Sequence, residues 1–337
     1  MCLQGAVLEL KMKKSLYLFT SGRIFRRENT IWFESLEGEK RVIPVESISE
    51  IEVFGELDVN KRALEFLSSH KISLHFYNHY GYYTGSFYPR EYLNSGYLLV
   101  KQVEHYIEPE KRLYLAKRFV EGALFNLLKN LKRATVNTEE FIKEIEELYQ
   151  LIEPSPDIET LMAVEGNARN YYYGALKELI KTLPFEKRTR RPPEDEVNAL
   201  ISFGNSLLYT QVLSEIYQTH LDPRIGYLHQ SNTRSFTLNL DLAEIFKPIV
   251  VDRVIFHLTN RKLLKPEDFK REAGLCYLSE SGKKKFVRAF EEKLSSTIKH
   301  RKLKRKVSHR QLIKLECYKI IKHLIGDEIY QPLKAWW

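Results

Sequence analysis

The sequence predicts an α+β protein, in which a small N-terminal domain of β-sandwich type precedes a larger all-α domain. Short runs rich in β-branched and aromatic residues fill the chain up to about Tyr106. After Glu108-Pro109, apolar residues recur every three or four positions over long stretches. The first pattern is typical of short strands and the second of amphipathic helices. The change in pattern predicts one domain over residues 12–106 and a second over residues 107–337.

The first domain is predicted to contain short strands and one helix. Residues 1–11 are predicted to be a frayed leader, because Met12 and the apolar run from Leu16 form a more natural start. The helix is predicted over Asn60–His70, where Ala63 and Leu67 have helical spacing. Strands are predicted over Leu16–Thr20, Ile31–Glu34, Arg41–Val45, Ile48–Phe54, Ser73–Tyr77 and Tyr82–Tyr88.

The second domain is predicted to be a succession of helices. The sequence Pro-Ser-Pro-Asp at 154–157 ends one helix and supplies an N-cap, Asp157, for the next. Helices are predicted near 110–133, 139–152, 157–183, 194–219, 241–259, 282–298 and 308–324.

Composition indicates a folded protein with an anionic partner. The chain has 337 residues, of which 43% are hydrophobic, and Lys plus Arg outnumber Asp plus Glu by 53 to 44. The apolar runs are far shorter than the ~20 residues of a membrane-spanning helix, so nucleic acid is a better partner than a membrane. The three cysteines form no Cys-x-x-Cys pair, which argues against a disulfide framework and a zinc ribbon. We therefore expect a cytoplasmic location.

Glu165 is the first candidate for chemistry, because it interrupts an apolar helical face that includes Leu161 and Ala168. A carboxylate on such a face loses hydration unless a cation or hydrogen-bond donors compensate. Arg169, four residues later, offers the structural alternative of a buried ion pair. From position alone, the two interpretations remain open.

His229, Asp241 and Glu244 are the other candidates. His229 ends a short apolar run, although a single histidine is more often structural. Asp241 and Glu244 are three residues apart at the predicted start of a helix, which places them on one face and also fits a helix cap by Asp241. Two carboxylates and an imidazole are typical ligands of a divalent metal that acts on phosphate esters. His75 and His79 are interpreted as structural.

Several basic clusters could contact DNA. Each cluster alone is more often a solvated surface, but together they suit the neutralisation of phosphates. The candidate residues are Arg169, Lys187, Arg188, Arg190, Arg191, Lys283, Lys284, Lys299, Arg301, Lys302, Lys304 and Arg305.

Four blocks of the second domain, in order, resemble the CRISPR-associated spacer-acquisition integrase (Cas-one) family. They are EGNARNYYY from Glu165, NALISFG from Asn198, LDPRIGYLH ending at His229 and DLAEIFKP from Asp241. The resemblance covers nearly all of the chain after Met12 and is looser in the first domain.

The resemblance implies a homodimer that assembles with a small ferredoxin-fold protein, Cas-two. It implies that Glu165, His229 and Glu244 bind Mg²⁺ or Mn²⁺, with Asp241 in a supporting role. The implied reaction is transesterification, in which the 3′-hydroxyl of a short DNA duplex attacks a phosphodiester at a CRISPR repeat.

Two other functions remain open on the sequence. A metal-dependent nuclease or junction resolvase would share the metal site and would only cut DNA. A non-enzymatic DNA-binding scaffold would need the basic surface without the metal.

Overall fold

The computed structural model describes residues 13–90, 93, 95–190, 192–230 and 236–337, in two compact units that divide between residues 92 and 93. The predicted leader at 1–11 and Arg191 lie outside the described residues. The sequence pattern predicted a boundary after residue 106 and strand-like structure before it. Residues Gly96–Ile107 instead form a helix that packs against later helices, which moves the boundary toward the N-terminus.

The N-terminal unit contains two four-stranded sheets with strand orders β1-β5-β7-β8 and β4-β3-β2-β6. In the first sheet β1, β5 and β7 are parallel and β8 is antiparallel to β7; in the second, only the β2–β6 pair is parallel. The elements are β1 (Lys14–Leu18), β2 (Gly22–Arg27), β3 (Thr30–Ser35), β4 (Lys40–Ile43), β5 (Ile48–Val53), β6 (Leu57–Val59), α1 (Lys61–Ser69), β7 (Ser73–Tyr77) and β8 (Tyr83–Phe87).

Both sheets and α1 contribute to one apolar core. Ile24 and Ile31 come from the second sheet, Ile51 and Leu74 from the first, and Leu67 from α1, and all are at most 1% exposed. Full burial of such a side chain stabilises the fold by about 1.5–3 kcal/mol. The sandwich-like unit and the predicted α+β class are therefore confirmed.

The second unit is mainly helical but also contains two short strand pairs, β9–β10 and β11–β12, that the sequence pattern did not predict. Among its described residues, none of the helices is long and apolar enough to cross a membrane. The elements are α2 (Gly96–Ile107), α3 (Pro109–Leu131), α4 (Glu139–Gln150), α5 (Ile158–Leu179), α6 (Glu196–Tyr217), α7 (Leu238–Phe246), α8 (Arg253–Asn260), β9 (Phe269–Glu272), β10 (Leu275–Leu278), α9 (Glu280–Ser295), β11 (Thr297–Lys299), β12 (Lys306–Ser308) and α10 (His309–Leu324).

The helix predicted over 241–259 begins earlier and is interrupted. It starts at Leu238, and a π-helical turn at Pro248–Asp252 separates α7 from α8. Proline lacks a backbone N–H and clashes with the preceding turn, so Pro248 prevents a regular α-helical ladder there.

Helix α3 supports α7 from the interior of the unit. Asn126 on α3 is fully buried and donates through Nδ2 to the backbone oxygens of Ile245 and Leu333, each at 3.0 Å. Its Oδ1 accepts from the backbone nitrogen of Ala335 at 2.8 Å. These bonds satisfy the buried amide and join α7 and the C-terminal segment to α3.

Candidate metal centre

Glu165 lies on α5 beside Arg169, one turn later on the same helix. Asp157 caps α5 by accepting a 2.8 Å hydrogen bond from the backbone of Thr160, as its sequence predicts. Arg169 contacts Glu165 through Nε and contacts Glu244 on α7 through Nη2. The ion pair that the sequence left open is therefore present, and it also connects two helices.

Glu244 is a buried carboxylate between two cations. Besides its contact with Arg169, it accepts a 2.6 Å hydrogen bond from Nζ of Lys247, and its side chain is 7% exposed. Burial opposes ionisation, but the charges of Arg169 and Lys247 outweigh it and lower the pKa of Glu244 to about 2. Burial likewise opposes the charge of Arg169, yet the carboxylates of Glu244 and Glu165 raise its pKa. Glu244, Arg169 and Lys247 are therefore all charged at neutral pH.

Asp241 is fully buried within α7, and its carboxylate faces the segment that ends at His229. Oδ2 accepts from the backbone nitrogens of Tyr227 at 2.6 Å and Leu228 at 3.0 Å. Oδ1 accepts from the backbone nitrogen of His229 at 3.0 Å and lies 2.7 Å from its Nδ1. The interpretation of Asp241 as a helix cap is wrong, because α7 begins before it, with Thr237 at the N-cap position.

The contact with Asp241 fixes the orientation of the His229 ring. Burial opposes protonation, but the hydrogen bond and charge of Asp241 raise the pKa of His229. With Nδ1 directed to Asp241, Nε2 is left for a ligand. A carboxylate behind a histidine in this way is common at metal sites, where it selects the ring tautomer and increases the basicity of the ligand nitrogen.

The chain before His229 is held against the start of α7 by close contacts. The backbone nitrogen of Gly226 donates to Oγ1 of Thr237 at 2.9 Å, and a Cβ at Gly226 would be only 2.8 Å from the carbonyl carbon of Thr237. Nε of Arg112 on α3 donates to the backbone oxygen of Tyr227 at 2.9 Å. Glycine is therefore required at 226 for this close approach.

The structure brings the predicted residues together as two connected pairs. Glu165 and Glu244 are bridged by Arg169, and His229 is paired with Asp241, while the charge of Glu244 also acts on His229. The ligand atoms of Glu165, His229 and Glu244 do not all lie within 4.8 Å of one another. The guanidinium of Arg169 occupies the position between the two glutamates.

The donor set fits a hard or borderline divalent cation. Carboxylate oxygens and an imidazole nitrogen are ligands that Mn²⁺ accepts readily, and carboxylates also suit Mg²⁺. The guanidinium of Arg169 already neutralises the charges of Glu165 and Glu244 in this arrangement. The space between the two carboxylates therefore favours a positive charge. Glu165 and Glu244 offer carboxylate oxygens and His229 offers Nε2, which are donor atoms of the types that such a cation binds.

A second group of side chains of the metal-ligand types, which the sequence pattern did not predict, lies in the N-terminal unit. Glu50 and Glu52 on β5 and His75 on β7 are buried, and their ligand atoms lie within 4.8 Å of one another. Glu52 and His75 are register partners on adjacent parallel strands. The available signal was the i, i+2 spacing of two glutamates in an apolar strand, but only the fold connects them to His75.

Three of the predicted DNA-binding residues are engaged inside the protein. Arg169 lies between the glutamates described above. Arg188 donates to Oδ1 of Asn198 at 2.8 Å and to Oγ of Ser202 at 3.0 Å, so it anchors its loop to α6. Lys283 is 7% exposed. The prediction of these three as surface contacts disagrees with their burial.

The remaining described candidates are exposed. Five of them belong to the basic hairpin, the name used here for β11, β12 and the loop between them. This hairpin projects Lys299, Arg301, Lys302, Lys304 and Arg305 to the surface. Lys187, Arg190 and Lys284 are exposed elsewhere.

The fold and this centre define a class of proteins in which a strand-rich unit precedes a helical unit that carries a carboxylate–imidazole site. The family model described as CRISPR associated protein Cas1 matches residues 16–292. The chain belongs to the Cas1 family.

The relatives agree over nearly the whole chain. A CRISPR-associated endonuclease Cas1 of Thermodesulfovibrio yellowstonii is 51% identical over 96% of this chain and 100% of its own length. A CAS1 protein from Thermotoga maritima has a solved structure with a TM-score of 0.86 and 47% identity, covering 95% of this chain and 100% of that chain. A casposase bound to integration product shares the fold, with a TM-score of 0.83 and 21% identity over 95% of this chain and 92% of that chain. The predicted family and the assignment as an enzyme are confirmed.

Proposed function

We propose that the protein is a metal-dependent DNA endonuclease and integrase of CRISPR adaptation, which joins the 3′-hydroxyl ends of short DNA duplexes into the repeat array by transesterification. The observations that carry the proposal are the Glu165–Arg169–Glu244 bridge and the Asp241-oriented His229, both in one helical unit. The family membership and the relatives named as endonucleases support it.

The residues of the site have distinct roles in this proposal. Glu165 and Glu244 supply anionic oxygens from two helices, and His229 supplies Nε2 from the intervening segment. Asp241 is a positioning residue, because its carboxylate holds both the backbone and the ring of His229. Lys247 remains beside Glu244 as a fixed positive charge.

Mg²⁺ or Mn²⁺ would act as a Lewis acid that polarises the scissile phosphate and stabilises the departing oxygen. Arg169 must release at least one glutamate for these oxygens to meet on one cation.

The proposed assembly is a homodimer that binds double-stranded DNA, both as a short duplex and as a CRISPR repeat, and a small ferredoxin-fold partner, Cas-two. The N-terminal unit is proposed to hold the dimer together. The exposed basic hairpin supports contact with DNA. We place the reaction in the cytoplasm, which suits the free, buried thiols of Cys276 and Cys317.

The decisive experiment follows strand joining and cutting separately. A labelled duplex and a supercoiled repeat-bearing plasmid are incubated with the protein and its partner in Mn²⁺. We expect joined product from the wild type. Nicked plasmid without joined product would favour the nuclease or resolvase alternative, and binding without either product would favour a scaffold.

Variants assign the chemistry to the centre. Glu165→Gln and His229→Ala are expected to abolish cutting and joining while DNA binding is retained. Glu159→Gln is the matched control, because Glu159 is an exposed glutamate on the same helix. Near wild-type catalysis by either Glu165→Gln or His229→Ala would refute the assignment.

A further inference from the structure

A cavity of about 280 Å³ lies at the junction of α3, the turn that follows it, the end of α5, and α8. None of the residues of the metal centre lines it. Its wall includes two arginines, two amides and an apolar surface, formed by Asn130, Arg133, Leu179, Arg253, Phe256 and Asn260. No acidic residue lines the cavity among the described residues.

Arg253 is held in place by this wall but is not fully satisfied. Its Nε donates to Oδ1 of Asn130 at 3.0 Å. Its Nη2 is buried and has no hydrogen-bond partner among the described residues. An unmade hydrogen bond at a buried charged group is costly, so the guanidinium as a whole favours the approach of an acceptor.

Asn130 fixes the orientation of the Arg253 guanidinium, because Asn130 is itself held by two other contacts. Its Nδ2 donates to the backbone oxygen of Pro248 at 2.7 Å and contacts the hydroxyl of Tyr172 at 3.2 Å. These bonds turn Oδ1 toward Arg253. The guanidinium is therefore oriented before any ligand arrives, which reduces the entropy lost on binding.

The surroundings of the cavity are positively charged. Lys293 is a third cation near the arginines. Its burial and the charges of Arg253 and Arg133 lower its pKa to about 8. None of these three cations forms an ion pair with a carboxylate of the described residues. The acid that acts on Arg253 is Asp252, which is buried and interacts with Tyr172.

We propose that this cavity binds one phosphate group of the DNA backbone, with the guanidinium groups of Arg253 and Arg133, which both line it, as donors. It is a positioning subsite, separate from the metal centre. The cavity is connected to that centre through α5, which carries both Tyr172 and Arg169. The identification of the phosphate as one of DNA rests on the proposed function, whereas the recognition of a phosphate rests on the cavity itself.

The test measures DNA affinity in EDTA over a range of salt concentrations, so that no catalysis contributes. A fluorescent duplex is titrated with the wild type, Arg133→Gln, Arg253→Gln and the double variant. Each substitution is expected to weaken binding several-fold, and the double variant is expected to lower the salt dependence by about 0.9, the value for one phosphate that is no longer neutralised. Arg288→Gln is the matched control, since Arg288 is an exposed arginine whose side chain is 84% exposed; its salt dependence is expected to equal that of the wild type.

An unchanged DNA affinity of a folded Arg133→Gln protein would overturn the proposal. Arg133 is exposed, so this variant decides the matter if Arg253→Gln fails to fold. A parallel thermal shift with inorganic phosphate identifies the source of the ligand. If the variants lose that shift without any change in DNA binding, the cavity takes free phosphate and the DNA assignment is wrong.

The subsite and the proposed function can fail separately. If the wild type joins DNA and the arginine variants bind DNA normally, the proposed subsite is refuted and the proposed function stands. If the wild type neither cuts nor joins DNA and the arginine variants bind DNA more weakly, the enzymatic function is refuted and the subsite stands.

Discussion

Glu244 compensates two buried cations, Arg169 and Lys247, so its loss should affect folding as well as catalysis. We predict that Glu244→Gln abolishes activity and lowers the free energy of unfolding by about 3–5 kcal/mol, because both cations lose a partner. Chemical denaturation measures this. Glu280→Gln is the control: its exposed pair with Lys284 should contribute at most about 1 kcal/mol. Equal effects of the two substitutions would contradict the prediction.

The same residue predicts a dependence of stability on pH. The pKa of Glu244 falls from 4.5 to about 2 on folding, so its contribution is fully present above pH 4.5 and is lost as the pH falls toward 2. In Glu244→Gln this part of the acid unfolding curve should disappear, while the rest of the curve keeps its shape.

Asp241 controls His229 through a hydrogen bond and a charge, and Asp241→Asn tests both. Asparagine keeps the size but has a single acceptor oxygen, so it cannot reproduce all four contacts. We predict that the pKa of His229, followed by NMR, falls and that Mn²⁺ affinity drops by about 10–100-fold. Calorimetric titration measures the affinity.

Asp157→Asn is the control for this change, because asparagine caps a helix about as well as aspartate. The raised pKa of His229 gives stability below its ordinary value of 6.5 that is lost as the pH rises through the folded-state pKa. Asp241→Asn should remove that slope. An unaltered His229 titration would show that Asp241 acts only on the backbone.

At the scale of elements, periodicity predicted most helices but not their ends. A single helix was predicted over 241–259, although Pro248 lies inside that range, and the structure has a π-helical turn there. The helix at 96–107 was missed because its exposed face carries Tyr97, Val100 and Ile107, apolar residues that resemble a strand run. Tertiary packing, which a local pattern does not contain, decided these cases.

The candidate residues were predictable one by one, whereas their contacts were not. Glu165, His229 and Glu244 followed from motif blocks and from polar residues in apolar settings. The role of Asp241 depends on a segment that precedes it by twelve residues or more, as its bonds to Tyr227, Leu228 and His229 show. A pairing of Arg169 with Glu165 was one of two interpretations that the sequence left open, and the second partner of Arg169 is 75 positions away.

The basic hairpin offers a prediction for an element. Replacing Lys299, Lys304 and Arg305 by glutamine should lower the salt dependence of duplex binding by about 0.9 for each phosphate that is no longer neutralised. The control replaces Lys61, Lys143 and Lys181, exposed lysines elsewhere, which changes the net charge equally. Equal slopes for both triple variants would show that the hairpin is only a solvated surface.

At the scale of the whole molecule, the proposed dimer interface is tested by removing the N-terminal unit. A chain of residues 93–337 retains the helical core and the metal centre. We predict that it sediments as a monomer, whereas the intact chain sediments as a dimer. Far-UV circular dichroism checks that the shortened chain is folded. A stable dimer of a folded 93–337 chain would locate the interface in the helical unit.

The arginine between Glu165 and Glu244 has a consequence for the protein before it meets a metal. Two carboxylates kept close to each other without a cation would repel each other. Arg169 removes that repulsion from within the chain. We expect the melting temperature to change little in EDTA, as differential scanning fluorimetry would show, while catalysis stops. The internal ion pairs of Arg169 would therefore keep the folded protein stable without a bound cation.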